Sequence, residues 1–229
     1  MTMTKSQLAR LIDHTLLSPE ATPAEVKALC DEARRYKFAS VCINPIYVQL
    51  AVEEMADTDV AVCTVAGFPL GATPTAIKSQ EAKQAIDDGA GEVDMVIHIG
   101  SLKAGDHGYV HADIAKLAET CHQREAILKV IIEAALLEDE EKVTACQLAQ
   151  AAGADFVKTS TGMAKPPAGR VSGATVEDVR LMRQTVGAEM GVKAAGGIRS
   201  YTDALAMIGA GATRIGASSG VQIVEEAPE

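Results

Sequence analysis

Short apolar runs alternate with longer segments of helical periodicity along almost the whole chain. The runs are rich in Val, Ile and other residues that favour extended backbone, so each of them predicts a β-strand. The eight predicted strands are Leu11–His14, Ser40–Ile43, Val60–Ala66, Glu92–Ile97, Ile127–Ile132, Asp155–Thr159, Gly191–Ala195 and Thr213–Gly216.

The segments between these runs repeat their apolar residues at the spacing of an amphipathic helix. The predicted helices are Thr22–Tyr36, Thr75–Asp88, Ile114–His122, Glu138–Ala151, Val176–Val186 and Thr202–Ile208. Pro23 stands at the start of the first helix, where proline suits the first helical position. Gly89, Gly153 and Gly211 follow helical segments, as expected for glycine at a left-handed helix end, and their recurrence indicates a repeated unit.

Strands that alternate with helices form parallel sheets with the helices packed outside. Eight such units in 229 residues predict an α/β fold with a single closed (β/α)8 barrel, the TIM barrel, while an open doubly wound sheet gives the same local pattern. No linker divides the chain, so we expect one domain over residues 1–229. The Pro- and Gly-rich segment Ala164–Gly173 predicts a mobile loop after the sixth strand.

The composition is that of a globular protein with few aromatic side chains and a marked negative charge. Hydrophobic residues make up 48% of the chain and aromatic residues only 3%, which favours helix-on-sheet packing over a β-sandwich. The net charge of −10 repels nucleic acids and anionic membranes, so neither is an expected partner. A small anionic substrate is still compatible, because backbone amides can bind it.

Five widely spaced cysteines contain no Cys-x-x-Cys pair. An odd number without metal-ligand spacing argues against a disulfide framework and against a zinc site. The N-terminus has no signal-peptide pattern, and no apolar run is long enough to span a bilayer. We therefore expect reduced thiols and a cytoplasmic location.

Two lysines, Lys158 and Lys193, each end a predicted strand and are followed by small residues. Burial of an ammonium group is costly unless it is paired or neutralised. Two such groups in one pocket repel each other, and repulsion with desolvation lowers an amine pKa toward neutrality. A neutral amine can attack a carbonyl and form a Schiff base. The alternative for each lysine is a solvated charge at a loop.

Carboxylates lie on the same side of neighbouring strands. Strand alternation places Glu92 and Asp94 on one face, which we expect to point into the barrel. There Asp94 can carry protons, directly or through water, or it can simply balance the charge of a buried lysine. Lys129 and Glu133 extend this polar lining, and Asp13 at the end of the first strand has a similar position.

Small-residue turns follow the last three predicted strands. They are Thr161-Gly162, Gly196-Gly197 and Gly216-Ala-Ser218-Ser219-Gly220. In this barrel, amides after the seventh and eighth strands commonly bind phosphate together with a short helix N-terminus. Glycine that only permits a turn is the alternative for each segment. The order of the turns beside two strand-end lysines favours a phosphate site.

Other candidates are weaker. His107 and His111 have a spacing that can chelate a metal, but no Glu follows His107, so we expect surface histidines. Cys42 ends a strand near the predicted mouth, where a small buried hydrophobic role is the alternative to a chemical one. Nucleotide-binding glycine motifs and the Gly-x-Ser-x-Gly elbow are absent from the sequence.

With these motifs in order, the sequence resembles the class I deoxyribose-phosphate aldolase family over nearly its whole length. The segments that carry the resemblance are Leu11-Ile-Asp-His-Thr-Leu-Leu17, Val41-Cys-Ile-Asn-Pro45, Glu92-Val-Asp-Met-Val-Ile97, Leu128-Lys-Val-Ile-Ile-Glu133, Phe156-Val-Lys-Thr-Ser-Thr-Gly162, Val192-Lys-Ala-Ala-Gly-Gly-Ile-Arg199 and Gly216-Ala-Ser-Ser-Gly220. The resemblance implies a TIM barrel without a metal or organic cofactor. It also implies reversible cleavage of 2-deoxy-D-ribose 5-phosphate to acetaldehyde and D-glyceraldehyde 3-phosphate, in deoxyribose phosphate catabolism.

The resemblance also assigns residue roles. It implies that Lys158 is the Schiff-base lysine, Lys193 the neighbour that lowers its pKa, and Asp94 the proton-relay carboxylate. The implied phosphate-binding residues are Gly162, Gly196, Gly197, Ser218 and Ser219, and the supporting residues are Lys129, Asp13 and Thr159.

The sequence departs from the family pattern at a few positions. His98 stands where Asn is usual, Ala134 where Thr is usual and Met163 where Phe is usual, and Ala164–Gly173 is a few residues longer than usual. None of these changes removes an implied catalytic group. Two other functions fit the phosphate turns: a barrel isomerase or decarboxylase, which does not need paired lysines, and a non-catalytic sugar-phosphate sensor. We expect a homo-oligomer, with a dimer favoured.

Overall fold

The computed structural model describes residues 2–229 and contains a closed barrel of eight parallel strands. The strands follow one another in chain order, and β8 pairs with β1 to close the barrel. They are β1 Ile12–Leu16, β2 Ser40–Ile43, β3 Ala61–Ala66, β4 Glu92–Val96, β5 Ile127–Ile131, β6 Phe156–Lys158, β7 Gly191–Ala195 and β8 Arg214–Ala217. The predicted (β/α)8 barrel is confirmed, and the predicted strands differ only at their ends.

Helices connect the strands on the outside of the barrel. They are α1 Lys5–Ala9, α2 Pro23–Tyr36, α3 Val48–Met55, α4 Thr75–Asp87, α5 Ile99–Lys103, α6 His107–His122, α7 Asp139–Ala151, α8 Val176–Val186, α9 Tyr201–Ala210 and α10 Gly220–Glu225, with 3-10 turns at Pro45–Tyr47 and Ala134–Leu136. All six predicted helices are present. The sequence analysis did not predict α1, α3, α5 and α10, which are too short to repeat an apolar face several times.

The predicted start of α6 was wrong, because the helix begins at His107 and not at Ile114. The Asp106 side chain accepts a hydrogen bond from the Tyr109 amide, and this cap starts the helix earlier than its apolar repeat indicates. His107 is exposed and His111 is half-buried on this helix. The prediction of surface histidines is confirmed for His107, whereas His111 is only partly exposed.

Helix ends follow local chemistry. Thr22 and Glu25 form a reciprocal capping box at the start of α2, with Pro23 in the first turn. The predicted left-handed glycines are confirmed, since Gly89, Gly153 and Gly211 all have positive φ. Within residues 2–229, no helix has the combined length and apolar character needed to cross a bilayer.

The core lies mainly between the barrel and its helices, whereas the inside of the barrel is charged. Val93 and Met95 of β4 are fully buried in the apolar layer, and Asp94 between them contacts charged groups of other strands. The strand register pairs Asp94 with Lys129 and Lys158 with Lys193. Charged side chains from several strands are therefore brought to the same depth inside the barrel.

Candidate active site

A pocket of about 370 Å³ opens at the carboxyl ends of the strands. Lys158 lies in its lining and is only 3% exposed. The rest of the lining comes from the ends of strands β1, β7 and β8 and from the turns after β1, β6, β7 and β8. It includes Thr15, Ser18, Thr161, Gly162, Met163, Gly196, Gly197, Arg199, Gly216 and Ser218. The Lys158 amine is thus the most deeply buried basic group of a pocket that is bordered by small residues.

Asp94 is fully buried beneath this pocket and contacts three lysines. The amines of Lys158 and Lys193 both donate to its Oδ2, at 2.8 and 2.7 Å. Lys129 donates to Oδ1 at 2.9 Å, and the Cys63 thiol lies 3.3 Å from the same oxygen. The structure therefore brings together the three residues that the sequence nominated for catalysis, and adds Lys129.

Contacts with opposite charges, and not burial, decide the direction in which the pKa values of Asp94 and Lys193 are shifted. Burial raises the pKa of Asp94, but the ammonium groups of Lys129, Lys158 and Lys193 outweigh it and hold that pKa well below its usual range. Burial lowers the pKa of Lys193, yet the carboxylates of Asp13 and Asp94 raise it above the ordinary lysine value. Lys193 is accordingly a permanent cation next to Lys158.

Asp94 belongs to a closed ring of six alternating charges. Arg214 donates to Asp13 at 2.5 Å and to Glu92 at 3.1 Å. Asp13 contacts Lys193 at 2.5 Å, and Glu92 contacts Lys129 at 2.5 Å. Both lysines also contact Asp94. We call this set the charge ring; its members in order are Arg214, Asp13, Lys193, Asp94, Lys129 and Glu92.

Two groups of buried side chains have the spacing of metal ligands, and Cys63 belongs to both. One group is Cys42, Cys63 and Asp94, and the other is Asp13, Cys63 and Glu92. The Lys129 ammonium contacts Asp13, Glu92, Asp94 and Cys63. The place of a metal ion in the second group is therefore already taken by this cation. A divalent ion at the first group would meet two further ammonium groups on Asp94, which disfavours it electrostatically.

Cys42 lies beside Cys63 in the strand register and is fully buried. A hydrogen bond with Cys63 is the main cause that lowers the pKa of the Cys42 thiol, assisted by the charge of Lys193. Burial raises the pKa of Cys63 well above its usual value. Cys42 is thus buried near the carboxyl end of β2, where it packs with Leu17, Cys63 and Val65, as expected for a small hydrophobic residue.

The predicted phosphate turns meet at one side of the pocket. Gly162, Gly196 and Gly197 all have left-handed φ angles, of 81, 88 and 80°. A Cβ on Gly196 would lie 2.8 Å from the Cα of Gly173, so the turn after β7 packs against the end of the loop after β6. Within residues 2–229, the amides of Gly196, Gly197, Ser218 and Ser219 have no hydrogen-bond acceptor. Ser218 lines the pocket, and Ser219 is the N-cap residue of α10.

Two supporting residues hold the strand that carries Lys158. The Thr159 hydroxyl donates to the Ala195 carbonyl at 3.1 Å and accepts from its amide at 3.0 Å, which fastens the end of β6 to β7. Glu133 has a left-handed φ of 55°, and its Oε2 accepts from the Thr161 amide at 3.1 Å. Burial raises the pKa of this carboxyl.

The residues that depart from the family pattern lie around the site. The His98 Nδ1 accepts from the Ser101 amide and caps α5, Ala134 is buried, and Met163 is 40% exposed at the pocket rim. Residues 164–173 contain no helix or strand, as predicted. The predicted mobility of this loop stays a prediction.

The sequence analysis missed Arg214, Cys63 and Arg199 as members of the site. Arg199 lies on the phosphate side of the pocket and supplies a positive charge there. Arg214 begins β8, two residues before Gly216 on the same strand face. An arginine at an inward strand position was the available signal, since such a charge needs partners inside the barrel.

Comparison with known proteins places the chain in a family. A family model described as "DeoC/LacD family aldolase" matches residues 8–226. A deoxyribose-phosphate aldolase of Enterococcus faecalis is 59% identical over 96% of this chain and 97% of its own, and one of Thermococcus kodakarensis is 58% identical over 99% and 100%. A solved tetrameric deoxyribose phosphate aldolase of Aeropyrum pernix superposes with a TM-score of 0.89 at 36% identity, covering 97% of this chain and 91% of that one. The buried lysines, the carboxylate between them and this similarity agree: the chain is an aldolase that belongs to the deoxyribose-phosphate aldolase family.

Proposed function

We propose that the chain reversibly cleaves 2-deoxy-D-ribose 5-phosphate to acetaldehyde and D-glyceraldehyde 3-phosphate, with Lys158 as the Schiff-base lysine. The observation that carries the proposal is the position of the Lys158 amine, which lies in the pocket lining and contacts Asp94 at 2.8 Å. The names of the curated relatives support the substrate.

In the forward direction, the neutral Lys158 amine attacks the aldehyde carbon of the open-chain sugar. Protonation of the resulting hydroxyl lets it leave as water, and a protonated imine remains. Lys193 stays charged, because two carboxylates hold its proton. Its charge disfavours a second ammonium group close by and so favours the neutral form of Lys158.

Cleavage of the C2–C3 bond sends its electron pair into the protonated imine and gives a neutral enamine. The positive charge at Lys158 disappears in this step. One of the three cations that hold the Asp94 pKa down is then lost, so Asp94 becomes a stronger base while the C3 hydroxyl must lose its proton. We assign the acceptance of this proton to Asp94, directly or through a water. Protonation of the enamine and hydrolysis then release acetaldehyde.

The phosphate group would be held by the amides of Gly196, Gly197, Ser218 and Ser219, with Gly162 next to Gly196. Amides without an internal acceptor are suited to phosphate oxygens. Arg199 in the pocket lining adds a favourable charge. The buried supporting residues Lys129, Asp13 and Thr159 would hold the reacting groups in place.

Borohydride trapping followed by peptide mapping tests the proposal. Incubation with 2-deoxyribose 5-phosphate and a mild hydride reductant is expected to leave an adduct on Lys158. The Lys158→Ala variant should retain its circular dichroism spectrum and lose the adduct. Lys165→Ala, a change of an exposed lysine in the loop after β6, is the matched control and should trap normally.

Trapping that persists in Lys158→Ala would refute the assignment of the nucleophile. Substrate binding without any adduct on the wild-type chain would favour the sensor or a barrel isomerase or decarboxylase instead.

We further propose that the chain forms a homo-oligomer, with a dimer favoured, in a reducing cytoplasm. The Aeropyrum pernix relative is described as tetrameric. Ile46, Leu70 and Ile77 of this chain are more than half exposed, which leaves apolar surface for self-association. The five cysteines are free thiols, in keeping with a reducing compartment.

A further inference from the structure

We propose that Arg214 and Glu92 are positioning residues that control the protonation of Lys158 through the net charge of the charge ring. This inference rests on the proposed role of Lys158 as the nucleophile. Neither residue lines the pocket, and both act through the ring members that contact Asp94. The charge balance below the pocket, and not only the neighbouring Lys193, then determines when Lys158 becomes reactive.

The formal charges of the ring cancel one another. The ring contains three cations, Arg214, Lys193 and Lys129, which alternate with three carboxylates, Asp13, Asp94 and Glu92. The ionised ring is therefore neutral, and each member contacts an opposite charge on both sides. No member requires a counter-charge from outside the ring.

Lys158 is a seventh charged group attached to this neutral ring. Its one carboxylate contact within the described residues is Asp94 Oδ2, an oxygen that also accepts from Lys193. The Lys158 ammonium therefore adds a positive charge that the ring does not compensate. Loss of the Lys158 proton leaves the neutral ring intact, whereas loss of a proton from any ring lysine would leave a carboxylate underpaired.

The other titratable groups around Lys158 do not supply a matching negative charge by contact. Glu133, at the end of β5, acts on Lys158 from a distance and uses its Oε2 to hold the Thr161 amide. The thiols of Cys42 on β2 and Cys63 on β3 face the same interior. The titratable and charged groups of the interior that contains Lys158 are Asp13, Cys42, Cys63, Glu92, Asp94, Lys129, Glu133, Lys193 and Arg214.

The charges of Arg214 and Glu92 can influence Lys158 through the ring, because solvent barely screens them. The Arg214 side chain is 14% exposed and that of Glu92 is 5% exposed. The guanidinium lies 5.5 Å from the centre of the Phe156 ring. The packing of Phe156 against Gly191 leaves no room for a Cβ at that glycine. In such surroundings a change of one unit charge is felt across several ångströms.

Opposite substitutions should therefore move the same titration in opposite directions. Arg214→Gln leaves the ring with one excess negative charge, which stabilises the Lys158 ammonium. The acidic limb of the kcat/KM profile should then move to higher pH by about one unit. Glu92→Gln leaves one excess positive charge, and the limb should move to lower pH by about one unit.

The double variant Arg214→Gln/Glu92→Gln restores ring neutrality and should return the limb to the wild-type position. Arg214→Lys retains the charge with altered geometry and should leave the limb in place, whatever happens to the rate. A purely structural role predicts lower rates without opposite shifts and without this reversal. Circular dichroism and thermal unfolding establish that each variant is folded.

The experiment measures kcat/KM for 2-deoxyribose 5-phosphate from pH 4 to pH 10, and hydride trapping on Lys158 in the same preparations. Absence of wild-type trapping would overturn the proposed function. Normal wild-type trapping combined with limbs that do not move oppositely would overturn only the inference about the ring. If Arg214→Gln does not fold, Glu92→Gln decides, because a limb that stays in place or moves to higher pH contradicts the inference.

Discussion

At the scale of single residues, the site depends on how the two oxygens of Asp94 are shared. Oδ2 binds Lys158 and Lys193, and Oδ1 binds Lys129. The sequence could identify these residues, because strand alternation and position at strand ends are local properties. It could not identify the ring that joins them, because the meeting of Arg214 with Asp13 and Glu92 depends on which strands become neighbours.

Replacement of Lys193 by leucine tests the role of its charge. The Lys193→Leu variant loses the cation beside Lys158 and leaves the Oδ2 of Asp94 to pair with Lys158 alone. We expect the acidic limb of kcat/KM to move to higher pH and the rate at pH 7 to fall by about tenfold or more. The control Lys193→Arg keeps the charge, and its limb should move much less. An unaltered profile in Lys193→Leu would contradict the assigned role.

At the scale of elements, the spacing of apolar residues determines where strands and helices form, while caps and turn residues determine where they end. The strands β2 and β7 have their predicted bounds, because turn residues flank both runs. The start of α6 required knowledge of the Asp106 cap. The packing of the turn after β7 against the loop after β6 was also beyond the sequence, since it joins glycines from distant segments.

Because the turn after β7 packs against the loop after β6, a side chain at Gly196 should displace this turn. The residue has a φ of 88°, and a Cβ there would approach the Gly173 Cα at 2.8 Å. The Gly196→Ala variant should therefore displace the turn and raise KM for 2-deoxyribose 5-phosphate by roughly tenfold or more. Activity on unphosphorylated 2-deoxyribose should fall much less, since the displaced amides face the phosphate.

Gly209→Ala is the matched control for this change. Gly209 lies inside α9, and no atom would lie within 4 Å of an added Cβ. Its KM for the phosphorylated sugar should be unchanged. An equal loss on both sugars in Gly196→Ala would assign the turn a general structural role.

At the scale of the whole molecule, the buried charges link stability to pH. The carboxyl pKa values of Asp13 and Asp94 are lowered from 3.8 in the folded chain, because the surrounding cations outweigh burial. On acidification the unfolded state therefore binds protons first. The contribution of these groups to stability is complete above pH 3.8 and is lost as the pH falls below it.

We expect the free energy of unfolding to fall below that pH by up to about 1.4 kcal/mol per pH unit for each carboxyl. Urea denaturation from pH 7 to pH 2 measures this slope. The slope should be nearly independent of added salt, because the pairs are buried. Asp13→Asn should have a shallower slope, and Asp57→Asn, a change of an exposed aspartate after α3, should match the wild-type chain. A wild-type slope in Asp13→Asn would show that other groups dominate.

The charge ring takes members from both ends of the chain, since Asp13 lies on β1 and Arg214 on β8. A nascent chain that has not yet emerged past β7 can form most of the sheet, but Asp13 and Glu92 then lack their shared guanidinium. Unpaired carboxylates inside an incomplete barrel remain hydrated, and the cost of removing their water opposes closure of the barrel. Completion of the reactive centre and closure of the barrel are accordingly one folding event, so fragments that stop before β8 should remain open and incapable of forming the imine.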